Sequence, residues 1–441
     1  VYKRQVLTLL LTGLLGCRKS NYKIDDIETV TDYGGGTGTQ TWRNDKIYLL
    51  SGFVFVNDGQ ILTIEAGTVI QAKTGQGSLA SALIVARGGR IIADGKPESP
   101  IIFTVEGDDL EGSIPLEAKG LWGGLIILGN AIINTQSGED MIEGIPVSEP
   151  RGVYGGPDDD DNSGILRFIS IRHGGTNIGE GNEINGLTLG GVGRKTIISH
   201  IEIISNADDG VEIFGGSVNI RNITVSFCGD DAFDFDQGYH GKGQFLLALN
   251  GIDSDLCAEY SGGLQPVQSL PGARSVLHNV TFFGDTLNIA EPTIHFSSYG
   301  SGHILNSIFI DPGRGIALKY TDYSDDSYAL YNSSQLTIRN NIFHPHKDTI
   351  PVFYCYSYDN SDLSVQNQNM HTSFIEWLNS FEAPGIFNRN GYKIMPPKTI
   401  FENMAEFESD WFEKVTYKGA FGSKNWLEGW TLIFESGLII D

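Results

Sequence analysis

Apolar and polar residues alternate in short bursts along most of the chain, and three of these bursts are near copies of one another. They read Asn185-Gly-Leu-Thr-Leu-Gly-Gly191, Asp209-Gly-Val-Glu-Ile-Phe-Gly-Gly216 and Asp231-Ala-Phe-Asp-Phe-Asp-Gln-Gly238. Gly186 to Gly210 spans 24 residues and Gly210 to Ala232 spans 22. Self-similarity at this period marks a solenoid. Alternation at period 2 marks a strand with one face inward and one outward. A second strand follows each copy, at 196–204, 218–226 and 244–249, and the same grammar recurs at 59–70, 82–86, 165–171, 275–283, 303–310 and 335–343. The chain is therefore expected to be all-β, coiled as a right-handed parallel β-helix. About 320 residues at about 23 per rung predict roughly 13–14 rungs. The 56 glycines among 441 residues suit a coil that turns sharply on every rung.

Aligning the copies stacks chemistry as well as shape. Val211, Ile213, Phe233 and Phe235 point inward, while Thr188, Glu212 and Asp234 share one outward column. Asn185, Asp209 and Asp231 form a column at the preceding turn, with Asp208 and Asp230 beside them and Asp236 following. Carboxylates about 5 Å apart repel by roughly 1 kcal/mol in water and several-fold more in a drier cleft. A cation, or a proton held by one carboxyl, relieves that repulsion. Three readings of this face stand: calcium binding through Glu212, Asp234 and Asp236, acid–base catalysis, or a solvated face with Asx turns.

Two further clusters carry oxygen ligands or aromatic faces. Asp159, Asp161, Ser163 and Gly164 match the opening of a calcium loop, although its closing glutamate is missing. Tyr320, Tyr323 and Tyr328 flank an acidic turn and could stack on a sugar ring, or simply decorate a loop. Asn279, Asn306 and Asn340 recur at one position of the later strands, either as a stacked amide ladder or as turn formers.

Charge and the N-terminus bound the setting. Lys plus Arg total 30 against 54 Asp plus Glu, a net charge of −24, which argues against nucleic acid and anionic membrane surfaces as partners. Lys3 and Arg4 precede an apolar run, Val6 to Leu15, too short to span a bilayer. The ending Leu14-Leu15-Gly16-Cys17 resembles a bacterial lipobox, which implies lipidation at Cys17. The expected organisation is a signal segment at 1–17, a flexible tether at 18–44, a β-helix at 45–356 and a C-terminal region at 357–441. That last region is expected to include a short helix at 372–381 and an aromatic cap over the last rung. Cys228, Cys257 and Cys355 cannot all pair with one another, and at least one is expected to be a buried thiol.

Several motifs together resemble a family of exported β-helix lipoproteins from Bacteroidota-type bacteria, with the pectin-lyase-like fold. They are Leu121-Trp-Gly-Gly-Leu-Ile-Ile-Leu-Gly-Asn-Ala131, Tyr154-Gly-Gly156, Asn182 to Gly193, Asp208 to Gly216, Tyr417 to Phe421 and Asn425 to Trp430. The resemblance implies an outer-membrane lipoprotein exposed at the cell surface and bound to the membrane only through its lipid anchor. Its partner would be an extracellular glycan or a surface protein. A second resemblance is to polygalacturonases, whose Asn-Thr-Asp-Gly and Gly-Asp-Asp motifs correspond to Asn206-Ala-Asp-Asp-Gly210 and Gly229-Asp-Asp231. It implies acid and base roles for Asp208, Asp209, Asp230 and Asp231 in a polysaccharide hydrolase or lyase. That family's Gly-His-Gly is represented only by Gly302-His303-Ile304, and its Arg-Ile-Lys clamp is absent unless Arg314 or Lys319 replaces it. Basic residues near the acidic repeats are confined to Arg221 and Lys242, which favours binding over uronate cleavage.

Overall fold

The computed structural model describes residues 26–177, 183–263, 269–284, 291–321, 326–344, 352–359, 361–388, 391–398 and 401–440. They form a right-handed parallel β-helix. A front sheet of ten strands runs from Phe53–Val56 to Phe353–Tyr356, and an eighteen-stranded sheet folds round the other sides. Along one face of the larger sheet twelve strands stack from Ile27–Val30 to Ser380–Phe381, fewer than the expected 13–14 rungs because excursions such as 129–163 lengthen some rungs.

The repeat alignment survives residue for residue. Thr188, Glu212 and Asp234 are consecutive partners in the front sheet. Val211, Ile213, Phe233 and Phe235 point into the core and are at most 1% exposed. Burying each such side chain stabilises the coil by about 1.5–3 kcal/mol, and ring stacking continues the ladder, as in Tyr260 on Phe296 at 4.4 Å.

On seven successive rungs one corner is turned by a single left-handed residue. Phe168, His200, Asn222, Phe245, Asn279, Asn306 and Asn340 have φ between 50° and 61° and stack in register. Left-handed backbone is disfavoured by about 1–2 kcal/mol for most residues and less for asparagine. The three asparagines form no stacked ladder. Their side-chain amides donate to carbonyls of the C-terminal segment: Asn279 to Tyr417 at 2.7 Å, Asn306 to Ala405 at 3.0 Å and Asn340 to Asn403 at 2.8 Å. Asn279→Ala removes both the conformational preference and this bond. It is expected to lower stability by about 2–3 kcal/mol in urea denaturation, and an unchanged midpoint would rule out the seam as a stabilising contact.

The C-terminal region corrects the expected cap. The described residues among 386–439 lie along the flank of the coil, where Ile386, Ile394, Phe421 and Ile433 bury against Ile204, Leu247, Phe283 and Ile308. Trp430 packs edge-on to Phe168 at 5.5 Å, and Phe245 stacks on Tyr417 at 6.0 Å. The end of the coil is closed instead by the helix Ser364–Glu376, earlier than the expected 372–381, with Met370 and Phe374 in the main core. At the other end Ile27–Val30 and Gln40–Trp42 already pair with rungs, so the coil begins inside the expected tether. Cys228, Cys257 and Cys355 are all free and buried. Among the described residues no helix is long and apolar enough to cross a membrane.

Candidate functional site

Reading the outward column of the front sheet along the axis shows its character changing. Phe55, Ile84 and Ile126 come first, roofed by Ile142, Ile145 and Tyr154 of the 129–163 excursion. Thr188, Glu212, Asp234 and Glu259 follow, then His295. Phe214 and Asp236 pair in the adjacent outward column. Strand alternation alone makes this face point away from the core, yet Glu212 is only 8% exposed. Glu143, brought over by the excursion, hydrogen-bonds to Glu212 and to Asn185. The expected open face is therefore a covered cleft.

The turn columns add more carboxylates. An Asp209 carboxylate oxygen accepts from the Asp231 amide at 2.9 Å, and one of Asp231 accepts from the Leu256 amide at 2.7 Å. Each aspartate thus ties its rung to the next through one oxygen and leaves the other available. Asp208 and Asp230 sit one residue earlier, at the rim. In the trios Asp208/Asp209/Asp230, Asp209/Glu212/Asp234 and Asp230/Asp231/Asp255, one oxygen from each residue lies within 4.8 Å of the others. Calcium–oxygen bonds of about 2.3–2.6 Å allow one ion to bridge such a trio. Two buried acceptor atoms of the cleft, Asp234 Oδ1 and Asn185 Oδ1, have no hydrogen-bond donor.

Burial is the largest cause pushing these carboxyls up, and neighbouring carboxylates add to it. Asp208 is pushed up to about 8, with Asp230 and Glu183 the strongest charged neighbours. Glu143 rises to about 7, and Asp230 and Asp236 to about 6. Asp209, Glu212, Asp231 and Asp234 are held well above the usual carboxylate range. The charges acting most strongly on these groups are all other carboxylates.

The other two sequence clusters fare differently. Asp159 is paired with His240 at 3.0 Å and Arg194 at 3.3 Å, and it also accepts from the Ile132 amide. Asp161 accepts from the Ser163 hydroxyl at 3.0 Å, and Ser163 is buried. The expected calcium loop is therefore a charge-paired turn whose ligand oxygens are already engaged. Tyr328 is not an exposed platform: it is 6% exposed in the core, edge-on to Tyr320 at 5.6 Å. Tyr323 and Cys17 lie outside the described residues.

Glu143, Glu183, Asp255, Glu259 and His295 were not singled out from the sequence. Glu259 had a legible signal, because Leu256-Cys-Ala-Glu-Tyr-Ser-Gly-Gly263 is a fourth, degenerate copy of the repeat. His295 is its partner on the next rung and bonds it at 3.0 Å. Glu143 and Glu183 had none, since each reaches the cleft from outside the repeat.

The stacked parallel strands place the chain among the parallel β-helix proteins. The family model described as a pectate-lyase like beta helix domain matches residues 34–380, and the chain belongs to that family. No curated protein and no solved structure matches it.

Proposed function

We propose that this chain is a cell-surface β-helix protein, tethered through a lipid on Cys17, whose front cleft holds calcium and through it an extracellular glycan. The observation that carries this reading is the convergence of Asp208, Asp209, Glu212, Asp230, Asp231 and Asp234 into overlapping oxygen trios. A hard cation satisfies such trios directly. Hydroxyl and carboxylate groups of a sugar then complete its coordination at the open rim, where Asp208 and Asp230 sit. Residues Asp209, Glu212 and Asp234 would hold the ion, with Asn185 Oδ1 as a neutral acceptor beside them.

A hydrolase or lyase is the second reading, and one observation favours it. Asp208 at about 8 and Asp230 at about 6 straddle neutrality within one trio. One neighbour is then a protonated acid while the other is largely an ionised base. Asp208 would protonate a leaving oxygen and Asp230 would activate water. A panel of neutral and anionic polysaccharides, tested for retention on the immobilised full chain and for new reducing ends and unsaturated uronates, separates the two readings. Calcium-dependent retention without cleavage is expected. Cleavage that disappears in Asp208→Asn and Asp230→Asn would make the cleft an active site instead.

A further inference from the structure

We propose a second divalent-cation site at the edge of the front cleft, on the turns that follow it along the coil: Asp255, shared with the cleft, and Glu291 supply carboxylates and Thr293 supplies its hydroxyl. The acidic turn column does not stop at Asp230. Front-sheet register carries it from Asp208 to Asp230, Asp255 and Glu291 on successive rungs. At its far end lies a small cavity with room for about one water-sized sphere, lined by Asn250, Asp255, Gly284, Glu291 and Thr293.

One observation besides the carboxylates points to a ligand there. Thr293 is 3% exposed, yet its Oγ1, on the cavity wall, has no hydrogen-bond partner. A buried hydroxyl without a partner is disfavoured by about 1–3 kcal/mol. Gly284 lets the backbone pass close by this wall: a Cβ there would lie 2.4 Å from the Asp311 carbonyl oxygen and 3.4 Å from Thr293 Oγ1. The nearby Arg314 guanidinium lies over the Tyr354 ring at 4.6 Å. Burial, then Glu291 and Glu259, raise the Asp255 carboxyl, the direction expected where carboxylates crowd. Two carboxylates, a hydroxyl and a small oxygen-lined space suit a hard cation such as calcium or magnesium. An ion there would fasten the turn at 250–255 to residues 291–293 on the next rung.

The test counts calcium on the full chain by native mass spectrometry and isothermal titration. Asp255 also belongs to a cleft trio, so the variants are Thr293→Val, which preserves shape, and Glu291→Gln at the rim. Each should melt no lower than the wild type in EDTA, since each removes an unpartnered hydroxyl or a crowding charge. Each is expected to bind one calcium fewer, or to bind that ion at least tenfold more weakly. Asp234→Asn/Glu212→Gln should spare this ion. Wild type binding a single calcium that only Thr293→Val and Glu291→Gln remove would support this site and sink the cleft reading. Unchanged stoichiometry and affinity in the two turn variants would overturn the proposal. So would a wild-type chain that binds no calcium or magnesium.

Discussion

Calcium is expected to raise the melting temperature of the full chain by several degrees, and the increment should grow between pH 6 and pH 8. The cleft carboxyls of the metal-free fold have raised pKa values: about 6 for Asp230 and Asp236, about 7 for Glu143 and about 8 for Asp208. In the unfolded chain they titrate near the ordinary value of about 4. Between those limits the folded chain binds more protons than the unfolded one, so their stabilisation is fully present below about pH 4 and falls as pH rises through 4 to 8. His200 and His278 act in the opposite sense, because burial lowers them to about 4 and about 3. Their contribution is complete above about pH 6.5 and is lost as pH falls below it. The raised carboxyls outnumber these two histidines, so the metal-free protein should be more stable near about pH 5 than at pH 8. An ion in the cleft replaces the protons and removes the penalty. At a hundred times Kd it contributes about 2.7 kcal/mol.

Asp234→Asn sharpens the test. It deletes a negative charge that raises Asp209, Glu212 and Asp231, so the metal-free variant should melt above metal-free wild type at pH 8. Its response to calcium should shrink. A variant that melts lower than wild type in EDTA, or a wild type indifferent to EDTA at pH 8, would refute the cation reading.

Replacing Glu202 by alanine is expected to destabilise the protein by about 3–5 kcal/mol and to loosen its C-terminal segment. Glu202 is fully buried. Its carboxylate accepts from the Leu432 and Ile433 amides, both at 2.8 Å, and from the Ser170 hydroxyl at 2.5 Å. Arg172, itself 3% exposed, donates to the same hydroxyl at 2.8 Å and supplies the nearest positive charge. Truncation leaves a buried cation uncompensated and two amides without acceptors, which is why the loss exceeds that of an ordinary hydrogen bond. Glu202→Gln keeps the shape and should fall between. Limited proteolysis should then cut within 382–440 before it cuts the coil. Wild-type melting and wild-type cleavage in Glu202→Ala would show that the flank docks without this anchor.

The two anchors, cleft and flank, differ in how far they could be read in advance. Glu212 and Asp234 are neighbours because each occupies the same place in a repeat, and a rung of 22 residues returns them to the same column. Inward Val211 and Phe233 follow from the same arithmetic. By contrast, Glu143 meets Glu212 only because the 129–163 excursion folds back over the front sheet. Asp159 loses its apparent role because His240, 81 residues away, reaches it. Asn279 had two readings from sequence and took neither alone, since its amide binds Tyr417, 138 residues on.

Hydrophobic alternation and repeat spacing are local, and a coil pairs each rung with its sequence neighbour. The chain by itself therefore determined the β-helix, its inward ladders and the acidic columns. The tertiary structure decided which carboxylates are covered, which are already paired and where the C-terminal segment lies. Those outcomes depend on excursions whose course carries no periodic signal. Burial, which sets the protonation of the cleft, comes from their packing.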